Sequence, residues 1–386
     1  MALFRRRRST TNDSAVAVDE FWSQWADLRD ELAASVDAKT AVPDEVAQRL
    51  TERVRRLHEN LTWDVCPAPR PAPQGLDELA ASFDDEARTL LSGDEDASQT
   101  AEEPAYALIL SAGADENARV VAEQWRRAAP NEPQWRFFGA RPADHEQLTT
   151  SLTWHDHELD LAHATVALRV DQKAGTIEAS VYHPDFMFLD EETQVGVAKK
   201  VALLALGEDD YIRWIGSVTP LTEKPLDPLP PTSMPAVVRQ LADALGGGWV
   251  TLQGRIPLRG TTQILVRHPL HRRDFPAFTL YTQVTVNYAN SDSDKMPAGD
   301  SSVALEEFST RLRSLLNDNG ALLAQQTGGG QRQFHFYIDP ESGVLPELEM
   351  AVREWKEGRT RLETLLDPHW ETIEPIIKPI RRRLGQ

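Results

Sequence analysis

Phe278-Thr279-Leu280-Tyr281-Thr282-Gln283-Val284-Thr285-Val286-Asn287-Tyr288 alternates at period two, with Phe278, Leu280, Thr282, Val284 and Val286 on one face, and so reads as a strand. The elements after it set the architecture. Leu305, Phe308, Leu312, Leu315 and Leu316 recur at helical spacing, which predicts a helix over Val303–Leu316. Ala321–Thr327 and Arg332–Asp339 read as strands joined by the turn Gly328-Gly329-Gly330, and Glu341–Glu357 reads as a helix before a last strand, Arg361–Leu366. The order strand, helix, strand, strand, helix, strand is the split βαβ order of a ferredoxin-like α+β sandwich.

Just upstream of this block, strands are expected at Trp249–Ile256 and Thr261–His268, after a helix Ala236–Leu245 that stops at Gly246-Gly247-Gly248. Earlier still, the stretch from Tyr106 to Thr219 gives nearly the same order with one extra strand and a loop at 140–162. The expectation is therefore two ferredoxin-like modules, related by structural duplication and preceded by N-terminal helices. Phe21, Trp22, Trp25, Leu28 and Leu32 form one helical stripe, and Val46, Leu50, Val54 and Leu57 another that starts at Pro43. Glu191–Leu206 reads as a helix ended by Gly207, and Ile212–Thr219 as a strand. Prolines 225, 228, 230, 231 and 235 resist helix and sheet alike. The expected organisation is thus a flexible tail 1–16, an N-terminal domain 17–222 with an acidic excursion at 67–104, a linker 223–235, a C-terminal domain 236–374 and a basic tail 375–386.

The chain has 386 residues, enough for two or three domains, and its 41% hydrophobic and 26% charged residues are those of a globular protein. Its formal charge is −19, which argues against a general binder of nucleic acid or anionic membrane. The charge is uneven. Residues 249–386 carry 17 basic and 17 acidic side chains, so the whole excess lies upstream. Within the neutral part, 249–273 holds Arg255, Arg259, Arg267, Arg272 and Arg273 with no carboxylate. Guanidinium forks on a hairpin suit carboxylates or phosphates, which makes these five the candidate binding residues for a protein partner with an acidic surface. The basic runs Arg5–Arg8 and Lys378 with Arg381–Arg383 read as solubilising ends.

Motifs for chemistry are mostly missing. The sequence has no G-x-S-x-G, P-loop, G-x-G-x-x-G or H-E-x-x-H signature, and no catalytic residue or cofactor is assigned. The best metal-like spacing is His155 and His157, which on a strand would share a face, with Asp160 or His163 as a third ligand. An RNA-recognition sheet would need a basic residue, glycines and aromatics in fixed order, and Gln331–Tyr337 lacks the glycines. Phe334 and Phe336 are accordingly read as core. The single cysteine, Cys66, suits a reducing compartment, and with no apolar run of membrane length and no apolar leader the expected location is the cytoplasm.

Two stretches of the second half carry a resemblance: Arg332, Phe334, Phe336 and Tyr337 on the aromatic strand, and Asp367-Pro368-His369-Trp370. In that order they resemble a bacterial family known only as domain of unknown function 695, itself similar to the ribonuclease E inhibitors called regulator of ribonuclease activity B. Upstream, Leu110-Ser111-Ala112-Gly113, Ala128-Ala129-Pro130 with Trp135, Leu206-Gly207-Glu208 and Trp214-Ile215-Gly216 are similar to the region that often precedes this domain. The resemblance implies the fold and brings no activity with it. Read physically, Pro368 halts the last strand, Trp370 covers a core edge and Asp367 caps the terminal helix before Glu371. The leading functional expectation is a non-enzymatic binding or regulatory module. The alternatives are a metal-dependent hydrolase or nuclease-like enzyme using His155 and His157, and a ribonuclease regulator.

Overall fold

A computed structural model describes residues 10–69, 104–172, 174–245, 248–256 and 260–384. The chain divides into two units, Met1–Ala242 and Asp243–Gln386. Residues 1–9 and 70–103, which hold the basic N-terminal run of the expected tail 1–16 and nearly all of the expected acidic excursion 67–104, lie outside the described residues, as does Arg259.

The first unit opens with helices α1 (Thr10–Ser23), α2 (Ala26–Asp37) and α3 (Asp44–Leu57). α1 begins inside the segment expected to be a tail. The single stripe expected from Phe21 to Leu32 is two helices, because the chain tightens at Gln24 and Trp25 into bonds that reach back three residues. Trp25, Leu28 and Leu32 are nevertheless all buried. They pack with Trp125 and Trp135; Trp22 stacks on Trp125 at 4.9 Å and donates its indole N–H to the Trp125 carbonyl.

β1 (Thr62–Pro67) pairs antiparallel with β2 (Tyr106–Ser111), and β2 pairs parallel with β3 (Trp135–Phe138) across helix α4 (Glu116–Arg127). The carboxylate of Asp115 caps α4 by accepting from Asn117 N and Ala118 N. A hairpin of β4 (Ser151–Trp154) and β5 (His157–Asp160) comes next. β6 (Thr165–Asp171) then pairs antiparallel with β7 (Thr176–Tyr182), which pairs parallel with β8 (Ile215–Leu221) across helix α5 (Glu191–Trp214). The ferredoxin-like order expected for this half is not what forms. Each crossover helix returns its strand directly beside the one it left, leaving no gap for a third, so the strands fall into two three-stranded sheets and a hairpin.

α5 also corrects an expected end. Gly207 breaks it at φ 75° and ψ 170°, yet the helix resumes and runs to Trp214, so the strand starts at Ile215. The proline-rich stretch joins the first unit: Leu229 exchanges both backbone bonds with Val166, and helix α6 (Met234–Leu245) comes after it.

The second unit holds β9 (Gly248–Ile256), β10 (Gly260–His268), β11 (Leu280–Asn287), α7 (Asp300–Leu316), β12 (Gly320–Gly328), β13 (Gln331–Ile338), α8 (Val344–Arg353), β14 (Thr360–Leu366) and α9 (Glu374–Leu384). Its six strands form one antiparallel sheet in the order β14-β11-β13-β12-β10-β9. α7 and α8 cover one face, where Val284, Val286, Phe334, Phe336 and Ile338 meet Leu305, Phe308, Leu312 and Leu348. Half of the other face is covered by Phe278, Trp370 and the α9 isoleucines 377 and 380. The segment expected as a basic tail is thus a packed helix, because Ile373, Ile377 and Ile380 recur at three- and four-residue steps.

Candidate functional site

The half of the second face that no described element covers is built by strand alternation. On β13, Arg332, Phe334 and Phe336 point to the helices, which sends Gln331, Gln333, His335 and Tyr337 the other way. Register lines these up with neighbours: Ile264, Gln326, Gln333, Thr285 and Arg361 lie in one row across five strands. Thr262, Gln331 and Asn287 fall close to the next row.

The result is a continuous polar groove. One lobe, about 570 Å³, lies against Thr262, Ile264, Lys295 and Gln326. The other, about 420 Å³, lies against Gln283, Thr285, Arg359 and Arg361. Gln331 and Gln333 line both lobes. Two cations flank it. Lys295 sits at φ 60°, its carbonyl accepting from Tyr288 Oη at 2.7 Å and Gly330 N at 3.2 Å, which pins it beside the glycine turn. Arg359 gives its carbonyl to Asn287 N. Among the described residues neither side chain meets a carboxylate, whereas Arg361 is paired with Glu363 at 2.5 Å.

His335 lies opposite Gln283, which lines the second lobe. It is 3% exposed, and its Nδ1 lies 2.7 Å from Tyr281 Oη, whose single proton is directed to Gln283 Oε1 at 3.1 Å. Nε2 is buried with no hydrogen-bond partner among the described residues. Burial lowers the imidazole to about 4, so it is neutral.

Beyond His335 the face is sealed by the Asp367–Trp370 corner. Asp367 accepts from Tyr337 Oη at 2.6 Å, from Thr372 N at 2.8 Å and from Glu371 N at 3.0 Å. Burial works against its ionised form, but these bonds outweigh it and hold its pKa below the usual range. Trp370 stacks on Tyr337 at 4.5 Å and donates to the Phe278 carbonyl.

The four candidate arginines among the described residues do not form one surface. Arg255 is exposed and meets Asp294 at 3.3 Å, and Arg267 lies over the Phe275 ring. Arg273 is 5% exposed. Arg272, 7% exposed, donates to the carbonyls of Pro368, Phe275 and Pro276 and lies 4.8 Å above Trp370. Its charge is committed to holding the corner together. A run of arginines in sequence cannot distinguish an exposed fork from one threaded into its own backbone.

The histidine pair is also separated. His155 lies in the turn between β4 and β5 at φ 51°, and His157 begins β5 opposite Trp154, so they do not share a strand face. Among the described residues no group of three His, Cys, Asp or Glu side chains gathers in a metal-holding arrangement.

In the first unit, two of the upstream motifs meet at Glu208. Its carboxylate accepts from Ala112 N, Gly113 N and Arg141 N at 2.8 to 3.0 Å, and its own N–H donates to the Arg141 carbonyl. Next to it, Arg119 forks onto Asp209 and reaches Glu123. Burial works to raise Glu123, and Arg126 and Arg119 outweigh it to hold it below the usual carboxylate range. Every oxygen of Glu208 is bonded to backbone, so this node locks loops together and offers no free base. Cys66 is likewise unsuited to attack, since burial and Asp64 push its thiol up to about 11.

The groove was missed from sequence, although a signal was there: Gln283, Thr285, Asn287, Gln331 and Gln333 are polar at every second position of two strands whose other face is core. Among the described residues no helix is long and apolar enough to cross a membrane. No curated protein and no solved structure matches the chain. Residues 265–374, which carry Arg332 to Tyr337, most of the groove and the Asp367–Trp370 corner, match the model of the Family of unknown function (DUF695).

Proposed function

We propose that the protein is a binding module whose second unit takes an acidic, extended protein segment along the polar groove. The observation that supports this above all is the pairing of an amide- and hydroxyl-lined sheet face with two cations, Lys295 and Arg359, that meet no carboxylate among the described residues. Amides satisfy a peptide backbone in either sense, and cations without internal partners select carboxylates. Among the described residues no aromatic lines the groove, so single-stranded nucleic acid would lack the stacking platform it needs. The strand order β14-β11-β13-β12 within βαββαβ connectivity supports reading the core of this unit as a ferredoxin-like sandwich. A cytoplasmic setting is in keeping with the single, half-buried free thiol. Regulation of a ribonuclease would be one use of such a module, and it rests on family likeness alone.

The test is a titration with a labelled Glu-Ser repeat peptide of about ten residues, ~33 Å when extended. Lys295→Ala with Arg359→Ala weakens binding about tenfold, raised salt weakens it further, and the backbone NMR signals of Gln331 and Gln333 shift on titration. Binding that ignores both substitutions, or tight binding of an oligouridylate in place of the peptide, overturns the reading.

A further inference from the structure

We propose that β14 is a self-association edge, through which two copies of the chain pair antiparallel about a two-fold axis at Leu362. This stands independently of what the groove binds. Among the described residues β14 is the terminal strand of its sheet and pairs with β11 alone. All its residues but Leu362 are exposed, with Leu365 at 54% and Leu366 at 52%. The strand has no proline, lysine or bulge, the usual devices that keep an edge from pairing.

Its hydrogen-bond phase is fixed. Asp367 N donates to Thr279 O at 2.8 Å and Asn287 N to Arg359 O at 2.9 Å, so odd-numbered residues turn their peptide groups toward β11. Thr360, Leu362, Thr364 and Leu366 therefore present theirs to the outside. A symmetric partner must place its outward residues against these, and charge then selects among the centres. An axis at Arg361 or Glu363 sets like charges face to face. An axis at Thr360 sets Arg361 against Arg359 of the second copy, and one at Leu365 sets Glu363 against its Asp367. An axis at Thr364 aims Arg361 at an Asp367 already occupied by Tyr337 and two backbone N–H groups.

Centring on Leu362 sets Arg361 against Glu363 of the second copy twice over, Thr360 against Thr364, and Leu362 against itself. The Arg361–Glu363 pair now made within each strand is exchanged for one across the axis, two pairs for two in the dimer. Leu365 falls opposite Arg359, whose aliphatic stem can cover it. The two sheets become one of twelve strands.

The experiment is sedimentation of the full chain from about 1 to 100 μM, the range in which a micromolar dimer forms. The expected mass rises from 43.2 kDa toward twice that value. Arg361→Glu and Glu363→Arg each set like charges across the axis and raise the dimer dissociation constant about tenfold or more. An equimolar mixture of the two variants restores association, because opposite charges again meet. Thr364→Pro removes an outward N–H without touching the bonds to β11 and also gives monomer. Circular dichroism verifies that each variant is folded. A chain that stays monomeric throughout, or a dimer indifferent to all three substitutions, overturns the proposal.

Discussion

His335 shows how a single side chain ties site to stability. An unfolded histidine titrates near 6.5, and burial holds this one at about 4. Between those values the unfolded chain binds the extra proton and the folded chain does not, so stability rises with pH across that window. It is fully present above about 6.5 and falls by about 3 kcal/mol as pH drops to about 4. Urea unfolding at pH 7 and pH 5 checks this: His335→Gln should flatten the slope over that interval, and a variant with the wild-type slope would refute the assignment. Asp367 and Glu123, held below the usual range, contribute separately; their share is lost only as pH falls through their own lowered values. None of this was legible in the sequence. Period-two alternation placed Phe334 and Phe336 in the core and so put His335 on the opposite face, but whether that face was open or covered depended on where α9 packs.

Among the elements, α5 and its Gly207 are the most instructive. A glycine after an apolar helical run signals a stop, and the backbone does break there, but the helix continues because Glu208 and Asp209 anchor the next turn onto Ala112, Gly113 and Arg119. The residue is needed for two reasons. Its φ of 75° is open to glycine, and a Cβ would sit 2.8 Å from Ala143 N. Gly207→Ala is expected to cost about 2 kcal/mol or more, measured as a lower urea midpoint with unchanged m-value. Destabilisation below about 0.5 kcal/mol would show that the loop at 141–143 yields freely. The strands were read correctly in type wherever alternation or apolar runs were strong, as in β2, β11 and β13. α9 was expected only as a terminal helix after Asp367, while 375–386 was read as a basic tail, because the charge at its end drew more weight than Ile377 and Ile380, which join the cluster of Tyr337 and Leu323.

For the molecule as a whole, both apolar clusters of the second unit draw, among the described residues, on those between Trp249 and Ile380. A fragment Asp243–Gln386 is therefore expected to fold alone, seen as dispersed amide NMR signals and a cooperative thermal transition; a molten or aggregated fragment would contradict it. Composition and charge asymmetry were properties of the sequence, and so were the βαββαβ order from Phe278 onward and the apolar faces of its helices. They come from local periodicity, which acts over a few residues and needs no tertiary information. Long-range packing settled the rest. Parallel or antiparallel pairing depends on where a crossover helix returns its strand, which split the first half into separate sheets instead of a second sandwich. The fate of a polar side chain depends on what covers it: Arg272 became an internal brace, while Gln331, Gln333, Lys295 and Arg359 came to line an open face, because coverage is set by elements distant in the chain.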